Sequence, residues 1–330
     1  MSTAAGLPTA TSAPIGFGDR RPLGRTHPFG ARLPAAAQRH DGTGPTPPGG
    51  AWTGPRAQRC RASERGSGRQ TSPPPTETSM MGTSHAATGV LAGGAVALLC
   101  GADVPVTLTC AAVGAGAALL PDLDEPGSSA GRSLGRVTEL VSTGLRGLSR
   151  RVYRRTATPR ELEAPKDGGH RHLTHTVPAC LVFGLVALGA ALAPFGAAAV
   201  VFAMSALGLG TVVRPWRAWG TVRRRRRAAL VAALVLGACT LLVEGYGPAP
   251  WLVGLVVFAG ALTHVLGDWL TRSGVPLAWP FTVRGKRWWM LRSPVAFHTG
   301  RSRVEDAIRV GALIGFPVLL ALGAPLPPAA

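Results

Sequence analysis

The chain lacks any cysteine pair with the spacing of a zinc site. Its five cysteines include no C-x-x-C. Cys100, Cys110, Cys180 and Cys239 lie within or at the edge of apolar runs, and Cys60 lies in a polar leader. They read as small apolar residues, which sets aside both a disulfide framework and a thiolate metal site. Apolar residues are scarce up to Ser79, where Pro, Gly, Ala, Ser, Thr and Arg dominate. Such a leader buries too little apolar surface to offset its chain entropy, so disorder is expected over residues 1–79. The start also lacks the apolar core of a signal peptide. Met80-Met81 directly precedes the first apolar run. One reading places the true start there, with a membrane-embedded domain over 80–330. The other makes the leader a basic cytoplasmic tail touching anionic lipid. Beyond Ser79 the apolar runs show no amphipathic stripe, and a soluble domain would need one.

What is present are runs of roughly 16–21 residues, matched to the ~30 Å hydrocarbon core of a bilayer. They fall at about 86–101, 106–120, 177–192, 195–213, 228–243, 250–270 and 307–322. The fold class is therefore all-α: a polytopic membrane protein with about seven hydrophobic segments. The first two are short, so tilting or a partly re-entrant hairpin is an alternative there. Gly89 and Gly93 form a G-x-x-x-G pair suited to close helix approach in lipid. An amphipathic helix is expected near 135–153. The formal charge of +19 would point to nucleic acid in a soluble chain. Beside membrane-length runs it marks cytoplasmic loops instead, and no specific nucleic-acid partner is expected. Segments 102–104, 193–194 and 244–248 carry no Lys or Arg, whereas 125–172, 214–227 and 272–303 carry nearly all of them. Alternating the seven runs puts every basic loop on the cytoplasmic side of the inner membrane.

The same alternation gathers the polar groups at that face. Gly169-His170-Arg171-His172-Leu173-Thr174-His175-Thr176 precedes the run that opens at Val177. Pro121-Asp122-Leu123-Asp124 ends the second run, and His264 and Asp268 share one helix face at i, i+4 near the end of the sixth. Ionisable groups at such depth are costly without a role or a partner. Two or three imidazoles with two or three carboxylates suit zinc or another divalent metal ion. Thr174 or Thr176 can cap the helix that follows, with Pro178 in its first turn. His85 stands at the mouth of the first run, while His27 and His40 lie in the leader and are incidental.

These elements resemble the YdjM type, a family of membrane-bound proteins taken to be metal-dependent hydrolases. The likeness rests on His85 before a Gly-rich run, Pro-Asp-Leu-Asp at 121–124, His-Arg-x-x-Thr-His at 170–175 and His-x-x-x-Asp at 264–268. It continues through Gly-Val-Pro-Leu-x-Trp-Pro-Phe at 274–281 and Thr299-Gly300 with Glu305. The resemblance implies His85, Asp122, Asp124, His170, His175, His264 and Asp268 as metal-site residues. His172 stands where the family commonly has Gly, so its exchange for Gly is expected to change little. A weaker likeness, at the level of fold, is to zinc-dependent phospholipase C. The expectation is a hydrolase of a phosphoester or similar bond, with lipid or a lipid-linked phosphate as substrate. His170, Arg171 and Asp124 are the catalytic candidates: His170 as ligand or general acid/base, Arg171 as an oxyanion contact. Trp279, Trp288 and Trp289 are expected to anchor the membrane interface. A non-catalytic metal-binding scaffold or a transporter is the alternative. The block centres are free of charge, which disfavours a transporter.

Overall fold

The apolar runs beyond Ser79 fold into helices because, away from water, a helix satisfies every backbone polar group within its own segment. A computed structural model describes residues 78–133, 135–297 and 302–323. The leader expected to be disordered lies outside the described residues, as do His298, Thr299, Gly300 and Arg301. The described residues form nine α-helices and no β-strand: α1 Thr78–Leu99, α2 Val104–Ala117, α3 Arg136–Thr156, α4 Pro159–Leu162, α5 Val177–Leu192, α6 Gly196–Val212, α7 Val222–Leu242, α8 Pro250–Trp269 and α9 Arg303–Gly323. Four segments are long and apolar enough to cross a membrane: 82–99, 104–124, 250–269 and 303–323. Helices α5 and α6 are shorter. The first two runs reach spanning length because α1 starts earlier than expected and α2 continues through a 3-10 turn, Pro121–Asp124. Conversely, α7 starts before its apolar run. The Thr221 hydroxyl accepts from Arg224 N at 3.3 Å, and this cap draws Arg223–Arg227 into the first turns.

Helix α2 is the hub, buried along almost its whole length and packed by α1, α6 and α8. Close approach needs small residues. A Cβ at Gly89 or Gly93 would collide with the backbone of Gly114 or Cys110, which gives the G-x-x-x-G pair its role. Gly116 meets the Met204 carbonyl of α6 in the same way. The outward faces are apolar: Leu181, Val186, Val231, Leu234, Ile314 and Val318 are all exposed. That is the surface of a bundle whose solvent is hydrocarbon, not water.

The polar segments cover one end of the bundle. Asp103 caps α2 at the opposite end, beside exposed Cys100. At the site end, Arg214 donates to Ser129 and Arg226 to the Ser133 carbonyl, pinning the basic start of α7 onto the loop after α2. Amphipathic α3 buries Thr138, Ser142, Ser149 and Tyr153 and exposes Val137, Leu140, Val141 and Leu148. An apolar stripe facing outward beside arginines suits a helix lying in a membrane interface. The loop from Thr271 to Phe297 is irregular and folds back onto α3 and α4. Glu161 holds it there, accepting from Trp288 N at 2.7 Å and Arg287 N at 3.3 Å.

Candidate metal centre

Four chain segments meet at the site end. Gly260 of α8 lies against Ala117 and the Gly114 carbonyl. One turn later, His264 Nδ1 sits 2.7 Å from the Ala118 carbonyl at the end of α2. Gly267 leaves a gap that the His85 ring occupies: a Cβ there would lie 3.0 Å from His85 Cε1. His85 thus stacks on His264 at 3.8 Å between centroids, with its Nε2 3.4 Å from Asp268 Oδ1.

The loop before α5 is held from below by Ser149 of α3. Its hydroxyl lies 2.7 and 2.8 Å from the Gly168 and Gly169 carbonyls and accepts from Leu173 N at 3.2 Å. Thr176 caps α5, accepting from Ala179 N at 3.2 Å with Pro178 in the first turn. Arg171 has φ +59°, a left-handed backbone uncommon outside glycine. Its guanidinium reaches Asp268 Oδ1 at 3.2 Å.

The hydrogen bonds fix the imidazole tautomers. Asp124 Oδ2 is acceptor-only as a carboxylate, so Thr174 spends its one hydroxyl proton on it at 2.6 Å. The Thr174 oxygen must then accept from His175 Nδ1, 3.0 Å away. The Ala118 carbonyl likewise takes the proton of His264 Nδ1. With both rings neutral, the two Nε2 atoms are left as lone pairs, and they face each other at 3.3 Å. Two carboxylate oxygens join them. Asp268 Oδ2 is 3.3 Å from His175 Nε2 and 3.8 Å from His264 Nε2. Asp122 Oδ1 is 3.8 and 3.6 Å from the same two atoms. Asp268 Oδ2 is buried and has no hydrogen-bond partner.

Four acceptors converging without a proton between them repel one another unless a cation lies among them. Metal bonds of ~2.0–2.1 Å give a tetrahedron with edges of about 3.3 Å, close to the separations above. The carboxylates of Asp122, Asp124 and Asp268 outnumber the cationic groups paired with them here, and a divalent ion offsets that excess. The residues present therefore fit such an ion. Two trios bring ligand atoms within 4.8 Å of one another, His85 with His264 and Asp268, and Asp122 with His170 and His175.

The aspartates divide their work. Asp122 is one of the four converging groups, whereas buried Asp124 stands behind the histidines and holds His170 Nδ1 at 2.7 Å. Burial alone would lower the His170 pKa, but the bond and charge of Asp124 outweigh it and hold the imidazole above its ordinary 6.5. His170, Arg171 and Asp122 form the open side, with side chains 26%, 20% and 18% exposed. Thr174, a candidate cap for α5, leaves that role to Thr176 and orients His175 instead, and Ser149, which holds the loop, was not identified from sequence. Their signal was a hydroxyl between two histidines and a serine on the buried face of an amphipathic helix.

A family model described as YdjM inner membrane protein matches residues 80–324. The chain belongs to that family. No curated protein and no solved structure matches it. In this YdjM-family chain His172 is packed more tightly than a position commonly held by Gly suggests. It is 6% exposed, edge-on to Tyr153 at 5.0 Å and 5.7 Å from Trp288. Trp288, expected at the membrane interface, is buried against α3 instead, its Nε1 donating to Thr156 Oγ1 at 3.1 Å. Its ring packs against those of Tyr153 and His172.

Proposed function

We propose that this YdjM-family protein is a membrane-bound, metal-dependent hydrolase of a phosphoester or similar ester. The observation that carries this reading is the buried, unpartnered Asp268 Oδ2 facing two imidazole lone pairs. His175, His264, Asp268 and Asp122 would hold the ion, zinc by its nitrogen and oxygen donors, with His85 of α1 flanking them. When bound, a divalent ion supplies a water of lowered pKa and polarises a phosphoryl oxygen.

The chain's own residues supply the rest. His170, kept protonated more readily by Asp124, is placed to deliver a proton to a leaving oxygen on the open side. Arg171 orients Asp268 and presents positive charge where an anionic oxygen would approach. Asp124 and Thr174 act through the histidines they hold. All of this lies at the end of the bundle where the basic segments pack. We place that end in the cytoplasm and let the seven apolar helices cross in alternation, with α5, α6 and α7 completed by their flanking turns. A substrate carried by lipid would meet the open side at the interface.

The test is metal analysis of protein purified from membranes without chelator, followed by a panel of phosphate mono- and diesters, soluble and lipid-linked. One zinc-type ion per chain is expected, with hydrolysis that disappears in Asp268→Asn together with the ion. A metal-free protein, or hydrolysis indifferent to that substitution, would reject the reading.

A further inference from the structure

A second cavity, of about 660 Å³, lies between α3–α4 and the loop 283–292, and none of the seven candidate metal-site residues lines it. Five exposed cations line its rim: Arg160, Lys166, Arg284, Lys286 and Arg292. Its single acid is Glu161, whose carboxylate is already committed. Oε2 accepts from Thr158 N and Oγ1 at 2.8 and 2.9 Å, and Oε1 from Trp288 N at 2.7 Å. Glu161 offsets at most one of the five rim charges, so the cavity keeps a clear positive excess. Arg284 and Lys286 instead lie over the Trp289 ring, at 5.4 and 5.6 Å.

The inner wall is different in kind. His172 lines it, and its Nδ1 donates to the His170 carbonyl at 2.9 Å, so the ring proton is on Nδ1. Nε2 remains as a buried acceptor with no partner. The hydroxyl donors of inorganic phosphate all sit on the phosphorus that the rim would hold, whereas a phosphorylated polyol carries further hydroxyls on carbon, away from the charge. The Trp288 face beside His172 suits the C–H groups of such a polyol.

We propose that this cavity binds a phosphorylated polyol, its phosphate among the rim cations and its hydroxyls toward the wall that His172 and Trp288 form. The source is either a soluble ester or a lipid headgroup. The inference is independent of the metal centre and stands whether or not that centre hydrolyses anything.

The chain contains only two lysines, Lys166 and Lys286, and both are on this rim. Amine acylation followed by mass spectrometry therefore reads the cavity directly. Full-length protein in neutral-lipid nanodiscs would be acylated with glycerol 3-phosphate or inorganic phosphate present, and separately in discs containing phosphatidylglycerol. Glycerol 3-phosphate or the phosphatidylglycerol discs should protect both lysines. Protection by the soluble ester alone, or by the lipid alone, identifies the source. The ester should act at roughly tenfold lower concentration than inorganic phosphate, and its effect should weaken as salt shortens the Debye length. Arg284→Gln with Arg292→Gln should abolish protection, while Arg223→Gln with Arg224→Gln on α7 should not. His172→Phe keeps a ring against Trp288 and should erase the advantage over inorganic phosphate. No protection by either source would overturn the proposal. So would equal protection by ester and inorganic phosphate, or protection that survives loss of Arg284 and Arg292.

Discussion

Asp122 and Asp124 are two residues apart on a 3-10 turn and straddle His175, one near Nε2 and the other near Nδ1. Asp122→Asn should therefore abolish metal retention. Asp124→Asn should weaken affinity by about 10–100-fold, the usual loss when a group that orients a ligand is removed. Metal titration of both purified variants measures the contrast, and equal losses would remove the distinction. Sequence pattern offered both carboxylates as candidates but could not divide them, because that depends on a turn's pitch and on Thr174. Glu161 offers a pH test away from the metal. Burial raises its pKa, but the N–H groups of Thr158, Trp288 and Arg287 and the Thr158 hydroxyl outweigh this and hold it below the ordinary 4.5. Its contribution to stability is then full above 4.5 and is lost as pH falls through the lowered folded value. Thermal unfolding in detergent should show that loss in the natural chain. Glu161→Gln should be less stable at neutral pH and should lack that part of the acid dependence.

At the scale of elements, the bundle depends on glycine contacts that a hydropathy reading only partly exposes. The pair Gly89 and Gly93 was visible as a motif. The equally close meeting of Gly116 with Met204 was not, because it joins helices distant in sequence. Gly116→Val should cost about 1–3 kcal/mol or more through overpacking, lowering the unfolding midpoint while leaving the secondary-structure content measured by circular dichroism unchanged. The ends of α5, α6 and α8 were legible to within a residue, since Pro or Gly stands at each start. The start of α7 was not: five arginines read as a loop, yet Thr221 caps them into a helix and Arg225 donates to the Trp216 and Gly220 carbonyls. Trp288 was misplaced for a related reason. Composition reports that a tryptophan suits an interface, not that Tyr153, His172 and Thr156 will enclose it.

For the whole molecule, the arrangement makes opposite demands on its two ends. Exposed Cys100 lies at the end away from the site, and exposed Ser273 follows α8 at the site end. With the site facing the cytoplasm, a membrane-impermeant thiol reagent applied to intact cells should label Cys100. It should spare a cysteine placed at Ser273, each in a background without the other cysteines. The reverse pattern would put the site outside. The positive-inside alternation placed His85, Asp122, His175, His264 and Asp268 at one end of the helices, and the structure brings them together there. Their mutual distances were not foreseeable, since these come from the glycines that seat α8 on α2.

The four converging acceptors also bear on the life of the chain in its cell. Asp122, His175, His264 and Asp268 come from three separated segments, and without a cation their lone pairs push those segments apart. On the proposed reading, metal binding contributes directly to folding, and a newly inserted chain would be complete only once it is loaded. Chains made during zinc starvation should open at this end and be removed by membrane proteases, because small losses of stability change abundance several-fold. The steady-state amount of the protein, followed by immunoblot, should thus track zinc supply. The Asp268→Asn chain should stay scarce at every zinc level.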